Sequence, residues 1–128
     1  MNRTTLILTF LLSSMFSSPS YSEWMKVDED HFGNILYVDF ERLKKVDGYI
    51  YYWTLLDYLK PMGGFLSAIV HNQGDCELLR YKFLSDSYYT ESMGQGIPSK
   101  SNNEPDKNWS DVPPDTVAEF LLKSVCSR

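Results

Sequence analysis

Few residues in this chain are of types that do chemistry, and their spacing decides what each could do. Cys76 and Cys126 are its two cysteines. In an oxidising compartment they permit one intramolecular pairing, against two free thiols or an intermolecular pair. The intramolecular bridge is the expected state. It closes a loop of about 50 residues, for which chain entropy gives about 4 kcal/mol. Against the ~5–15 kcal/mol of a whole domain that is a large share, so the bridge reads as structural. No Cys-x-x-Cys spacing points to redox work.

The remaining candidates are thin. His31 follows Asp28-Glu29-Asp30, a run that fits neither a calcium loop nor a zinc spacing and reads as an acidic surface turn. His71 has no partner near it in sequence and reads as a solvent-facing or satisfied histidine. Serines are frequent, but no G-x-S-x-G elbow occurs, and oxidised cysteines supply no thiol nucleophile. Met93-Gly94-Gln95-Gly96 lacks the third glycine and the Lys-Ser/Thr tail of a phosphate loop, so it reads as a sharp turn. Asn108-Trp109-Ser110 is a formal glycosylation sequon, with meaning only in a eukaryotic secretory route. The expectation is a chain with no catalytic residue, no metal ligand and no cofactor.

Aromatic residues are the richer resource. Tyr49, Tyr51 and Trp53 alternate onto one face of a strand; Ile50, Tyr52 and Leu56 fall on the other. Tyr and Trp are favoured anchors at protein interfaces and equally good in a β core. Together with Trp109, the Tyr49, Tyr51 and Trp53 set is the candidate binding surface.

The elements that must position these residues read mostly as strands followed by one helix. Trp24–Val27 and Asn34–Phe40 are rich in β-formers. Glu41–Val46 is polar and runs into Asp47-Gly48, a strong hairpin signal. Tyr49–Tyr58 is apolar on both alternating faces, as a strand covered on both sides would be, and Lys60-Pro61-Met62-Gly63-Gly64 stops it. Phe65–His71 is the next strand, with a turn at Asn72-Gln73-Gly74-Asp75. Cys76–Ser87 alternates again, with Leu79, Tyr81 and Phe83 on one face, and Tyr88–Met93 continues it after a bend. Cys76 then falls on the face of Arg80 and Lys82, an awkward parity for a bridge to a helix. Gly94–Pro114 reads as a long loop whose far end is pinned by Trp109. Thr116-Val117-Ala118-Glu119 fits a capping box, and Val117, Phe120, Leu121, Ser124 and Val125 form the expected buried stripe. Short connections between consecutive strands predict a mainly antiparallel sheet. The fold class is α+β, with about five to six strands, a C-terminal helix packed on one face and one disulfide.

The first 22 residues stand apart. They hold one cation, Arg3, no acid, the apolar run Leu6–Leu12, and a small-residue exit at Ser20-Tyr21-Ser22. That is the pattern of a secretory signal peptide, cleaved between Ser22 and Glu23, and the run is too short for a transmembrane helix. No cysteine near the junction offers a lipid anchor. Removing 22 of 128 residues leaves one domain, 23–128; of the 12 basic and 17 acidic residues only Arg3 is lost, for a net charge of −6. That balance argues against nucleic acid and anionic membrane surfaces as partners. It serves solubility.

The ordered landmarks carry a resemblance. An early Trp24, then Tyr37-Val38-Asp39, Trp53-Thr54-Leu55-Leu56-Asp57-Tyr58, Asp75-Cys76, Arg80, Met93-Gly94-x-Gly96, Trp109, a Pro-rich stop and Val125-Cys126 span nearly all of the chain after residue 22. In order and spacing this resembles the surface-adhesin protein E-like family of Gram-negative bacteria. The resemblance implies an antiparallel sheet backed by a C-terminal helix and joined by one disulfide. It implies a non-enzymatic, adhesin-like binding module of the periplasm or outer cell surface. The partner it implies is a protein, host extracellular matrix among the candidates. The competing expectation is a periplasmic small-ligand binder or inhibitor-like envelope protein on the same fold.

Overall fold

A computed structural model describes residues 23–128. The expected signal segment 1–22, with Ser22 of the cleavage junction, lies outside the described residues; Glu23 is exposed at their start.

Among the described residues eight strands form one sheet: β1 Trp24–Glu29, β2 Ile35–Asp39, β3 Lys44–Val46, β4 Tyr49–Met62, β5 Phe65–Asp75, β6 Arg80–Tyr89, β7 Lys100–Asn102 and β8 Ser110–Asp111. The main order is β1-β2-β4-β5-β6-β7. β3 lies beside β2 along one edge of β4, and β8 lies beside β7 along one edge of β6. Every pairing is antiparallel. The helix α1, Val117–Cys126, follows and covers one face. This is the antiparallel sheet with a C-terminal helix that both composition and resemblance predict, with eight strands in place of five to six. The additional ones are short edge pieces: β3, whose turn Asp47-Gly48 has positive φ at both residues as a type I′ hairpin requires, and β7 and β8 within the expected 94–114 loop.

Three boundaries move for identifiable reasons. β4 runs on to Met62, because the chain reverses only at Gly63-Gly64. The expected turn at Asn72–Asp75 is strand. Asn72 is buried, and its Nδ2 donates to Tyr52 O, Thr54 Oγ1 and Val70 O. Gly74 answers to packing: a Cβ there would lie 2.5 Å from Leu122 Cδ1 and 3.0 Å from Ile50 Cγ2. The reversal comes at Cys76–Leu79, where Asp75 Oδ1 accepts from the N–H groups of Glu77 and Leu78 and Leu79 adopts positive φ. Cys76 therefore sits in a turn, and strand parity does not constrain it.

The core lies between sheet and helix: Val38, Ile50, Tyr52, Leu122 and Val125, flanked by Val27, Phe40, Leu43 and the two cysteines. Thr116 caps the helix, its Oγ1 accepting from Glu119 N–H at 3.3 Å. The expected stripe is rotated, however. Phe120 and Val117 are exposed, while Leu122 and Val125 are fully buried and Ala118 and Leu121 half-buried. Ala118, Leu121, Leu122 and Val125 also keep helical spacing, and Cys126 one residue on is the anchor that selects this face. Cys76 and Cys126 form the disulfide, Cα atoms 5.8 Å apart.

Candidate functional site

The face of the sheet away from the helix is only partly covered. At one end, the Ser92–Gly94 turn lies on Leu55 and Ile69. A Cβ on Gly94 would fall 2.5 Å from Ile69 Cδ1. The turn is held by Asp57 Oδ1, which accepts from Met93 N–H at 2.8 Å, and by Ser67 Oγ, which accepts from Gly94 N–H at 2.8 Å and donates to Glu91 O at 2.6 Å. Beyond this cover the face is open over Tyr49, Tyr51 and Trp53. The sequence reading of β4 as covered on both sides is therefore corrected. Ile50, Tyr52 and Thr54 are buried under the helix, whereas Tyr49, Tyr51 and Trp53 are half-buried on the open side.

Register brings further groups to this side. Trp53 pairs with His71 and Tyr51 with Gln73 across β4 and β5. The Trp53 and His71 rings stack at 4.1 Å and 10°, and Tyr51 meets His71 at 6.4 Å. Arg42, from the short 3₁₀ turn Phe40–Arg42, lies over both Trp53 and Trp24, 5.1 and 5.7 Å from the ring centres. Its Nε donates to Asp39 Oδ2 at 2.7 Å. Burial, with Arg42 nearby, lowers the His71 pKa below its ordinary 6.5. Arg42, Lys44, Val46, Tyr51, Trp53 and His71 line a shallow depression of about 430 Å³.

Trp109 closes the other end. It stacks on Tyr49 at 5.5 Å, and Arg80 and Lys82 lie 4.5 and 4.7 Å from its ring centre. All four aromatic candidates are thus on one side of the sheet. Cation–π contacts of this kind contribute about 0.5–1 kcal/mol each at partly exposed sites, so Trp109 fixes its loop as well as bordering the surface. Sequence reasoning missed His71, Arg42 and Lys82 as members, because their positions follow from cross-strand register. The alternation of Arg80 and Lys82 opposite Tyr81 and Phe83 was the one signal that could have found the cations.

His31 lies apart, in an exposed turn that Asp30 organises by accepting from the N–H groups of Phe32 and Asn34. Among the described residues no three His, Cys, Asp or Glu side chains gather as a metal site would require, and no helix is long and apolar enough to cross a membrane.

A second concavity, about 260 Å³, lies between helix and sheet. Leu36, Tyr52, Leu56, Val70, Phe83 and Leu121 line it, with Thr54 and Asn72 as polar groups.

The family model described as Surface-adhesin protein E matches residues 24–127. Among solved structures, the selenomethionine form of Haemophilus influenzae protein E is similar with a TM-score of 0.65 at 15% identity, over 86% of this chain and 90% of that one. Its crystal form II gives 0.64 at 15% identity over 85% and 91%. Protein E from non-typeable Haemophilus influenzae gives 0.61 at 15% over 86% and 79%. At that identity the likeness is one of fold. No curated protein sequence matches the chain.

Proposed function

Because the chain belongs to the surface-adhesin protein E family, we propose that it is a non-enzymatic, adhesin-like module that recognises a protein partner through the open face of its sheet. The observation that carries this reading is the run of half-buried aromatic side chains, Trp53, Tyr51, Tyr49 and Trp109, gathered on one side and left uncovered. Rings held by stacking lose little freedom on binding, and large aromatics dominate contact energies. Family membership supports a place outside the cytoplasm of a Gram-negative bacterium. The proposed route there is the 1–22 signal segment, cut between Ser22 and Glu23. Host extracellular-matrix proteins are the proposed partner class.

The test is a binding assay of the purified protein against a panel of matrix and envelope proteins. Tyr51→Ala and Trp53→Ala should each weaken binding by more than about 1 kcal/mol, while His31→Ala leaves it unchanged. Undiminished binding by both aromatic variants would remove the open face as the contact. Antibody labelling of intact cells separates surface display from a periplasmic life.

The helix–sheet concavity favours a second reading, a periplasmic binder of small apolar ligands. Filling it by Val70→Phe should abolish any ligand-induced rise in Tm while leaving protein binding intact. A ligand response that survives the substitution would argue against it.

A further inference from the structure

Among the described residues, the open face carries two lysines that no carboxylate pairs, one of them, Lys82, lying 4.7 Å from the Trp109 ring centre, and what they would select rests on reading that face as the contact surface. One cross-strand row runs Lys44 on β3, Tyr51 on β4, Gln73 on β5 and Lys82 on β6. Residues directly opposite in a sheet share a face, so all four belong to the open side. The middle of the row is satisfied internally, Gln73 Nε2 donating to Tyr51 Oη at 3.2 Å. Its two ends are ammonium groups, and among the described residues neither is in an ion pair.

The arginines beside them differ. Arg42 is paired with Asp39 at 2.7 Å and Arg80 with Asp75 at 2.9 Å. The adjoining row, Val46, Tyr49, Asp75, Arg80 and Asp111, brings carboxylates of its own. Across these two rows, among the described residues, the cations without a carboxylate partner are therefore the two ends of one row, in a chain whose net charge is −5.

Three strand spacings of about 4.8 Å place the two lysine backbones about 14 Å apart. An extended polypeptide advances about 3.4 Å per residue with alternating side chains, so its residues i and i+4 face one way at about the same 14 Å. We propose that the open face takes an extended acidic segment of a protein partner. The segment lies along the Lys44–Lys82 row with carboxylates at i and i+4 on the two ammonium groups. Its i+2 side chain rests between Tyr51 and Gln73, flanked by the rings of Tyr49 and Trp53. Two separated ammonium groups suit a sparsely acidic peptide. A sulfated polysaccharide carries anions along its whole length and is matched by denser or bidentate cations, and here both guanidinium groups are already engaged by carboxylates.

The test uses the purified disulfide-bonded protein and a short labelled peptide, Glu-Val-Tyr-Val-Glu in a neutral background, read by fluorescence anisotropy. Binding should weaken as salt rises. Lys44→Gln with Lys82→Gln should weaken it about five- to ten-fold, in line with two charge pairs at the surface, one exposed and one half-buried. Lys26→Gln, whose ammonium is already 3.8 Å from Glu29, should leave it unchanged. A peptide with its two glutamates adjacent should bind more weakly. No binding of the spaced peptide, an equal loss with Lys26→Gln, or a preference for heparin with the same lysine dependence would overturn the proposal. Matrix-protein binding measured alongside separates it from the reading beneath it. A lysine variant that keeps such binding where Trp53→Ala loses it overturns the acidic segment alone; retention by both variants overturns both.

Discussion

Trp53 and His71 stack face to face across β4 and β5, ring centroids 4.1 Å apart and planes 10° apart. The pair ties the aromatic strand to a titratable ring that sequence left without a partner. It also gives the open face an imidazole that burial and Arg42 hold neutral to below its ordinary 6.5.

The pH dependence of stability follows from that contact. Burial comes first and Arg42 second in lowering the folded-state pKa of His71 below 6.5. The unfolded chain then takes up the proton at higher pH than the folded one. The stability linked to this histidine is complete above pH 6.5 and is lost as pH falls from there through the folded pKa. Asp30 and Asp75, whose carboxyls are held below 3.8, titrate in a lower window and leave this one clear. For Asp75, burial alone would raise the pKa, and hydrogen bonds from Leu78 N–H, Arg80 and Glu77 N–H reverse it. Urea denaturation at pH 7.5 and pH 5.5, values set about one unit either side of the ordinary histidine pKa, should show a smaller loss for His71→Gln than for the parent. Equal losses would refute the linkage.

Gly74 is a packing position. Its φ is not in the left-handed region, and the cost of a side chain is steric, with Leu122 Cδ1 at 2.5 Å and Ile50 Cγ2 at 3.0 Å from an added Cβ. Gly74→Ala should destabilise by about 1–3 kcal/mol, as overpacking does in a filled core. The displaced partner is the helix, so amide exchange should quicken over Val117–Val125 before it does in β4. Unchanged midpoint and protection would show that Leu122 gives way freely.

The disulfide anchors a helix of ten residues, too short to persist alone. Replacing both cysteines by Ser should cost about 2–5 kcal/mol. Exchange protection in Val117–Val125 should fall first. A thiol titration of the unreduced parent that finds two reactive groups would contradict the bridge.

Trp109 holds the segment between β7 and β8 against the sheet. Removing its stack on Tyr49 and its contacts with Arg80 and Lys82 by Trp109→Ala should cost about 1–3 kcal/mol. The local signature is trypsin cleavage at Lys100 and Lys107, which should accelerate more than the global midpoint predicts. Cleavage that merely follows the midpoint would mean the loop is held elsewhere.

Much of this architecture is local information and was legible. Asp47-Gly48 specifies a tight hairpin because Gly accepts positive φ and Asp tolerates it. Thr116 and Glu119 mark the helix start because the first N–H groups need acceptors. The alternation from Tyr49 to Trp53 separates two faces because strand side chains have a period of two. What tertiary structure decided was which face met what. Ala118-Leu121-Leu122-Val125 and Val117-Phe120-Leu121-Ser124-Val125 are both helical stripes, and only docking through Cys126 selected the first. Asn72 and Gly74 look like turn residues, yet the first is satisfied by strand carbonyls and a threonine hydroxyl and the second makes room for Leu122. The candidate site shows the same division. Its aromatic residues are visible in sequence because one strand carries most of them. His71, Arg42, Lys44 and Lys82 join them through register across four strands and a 3₁₀ turn, and register is a property of the assembled sheet.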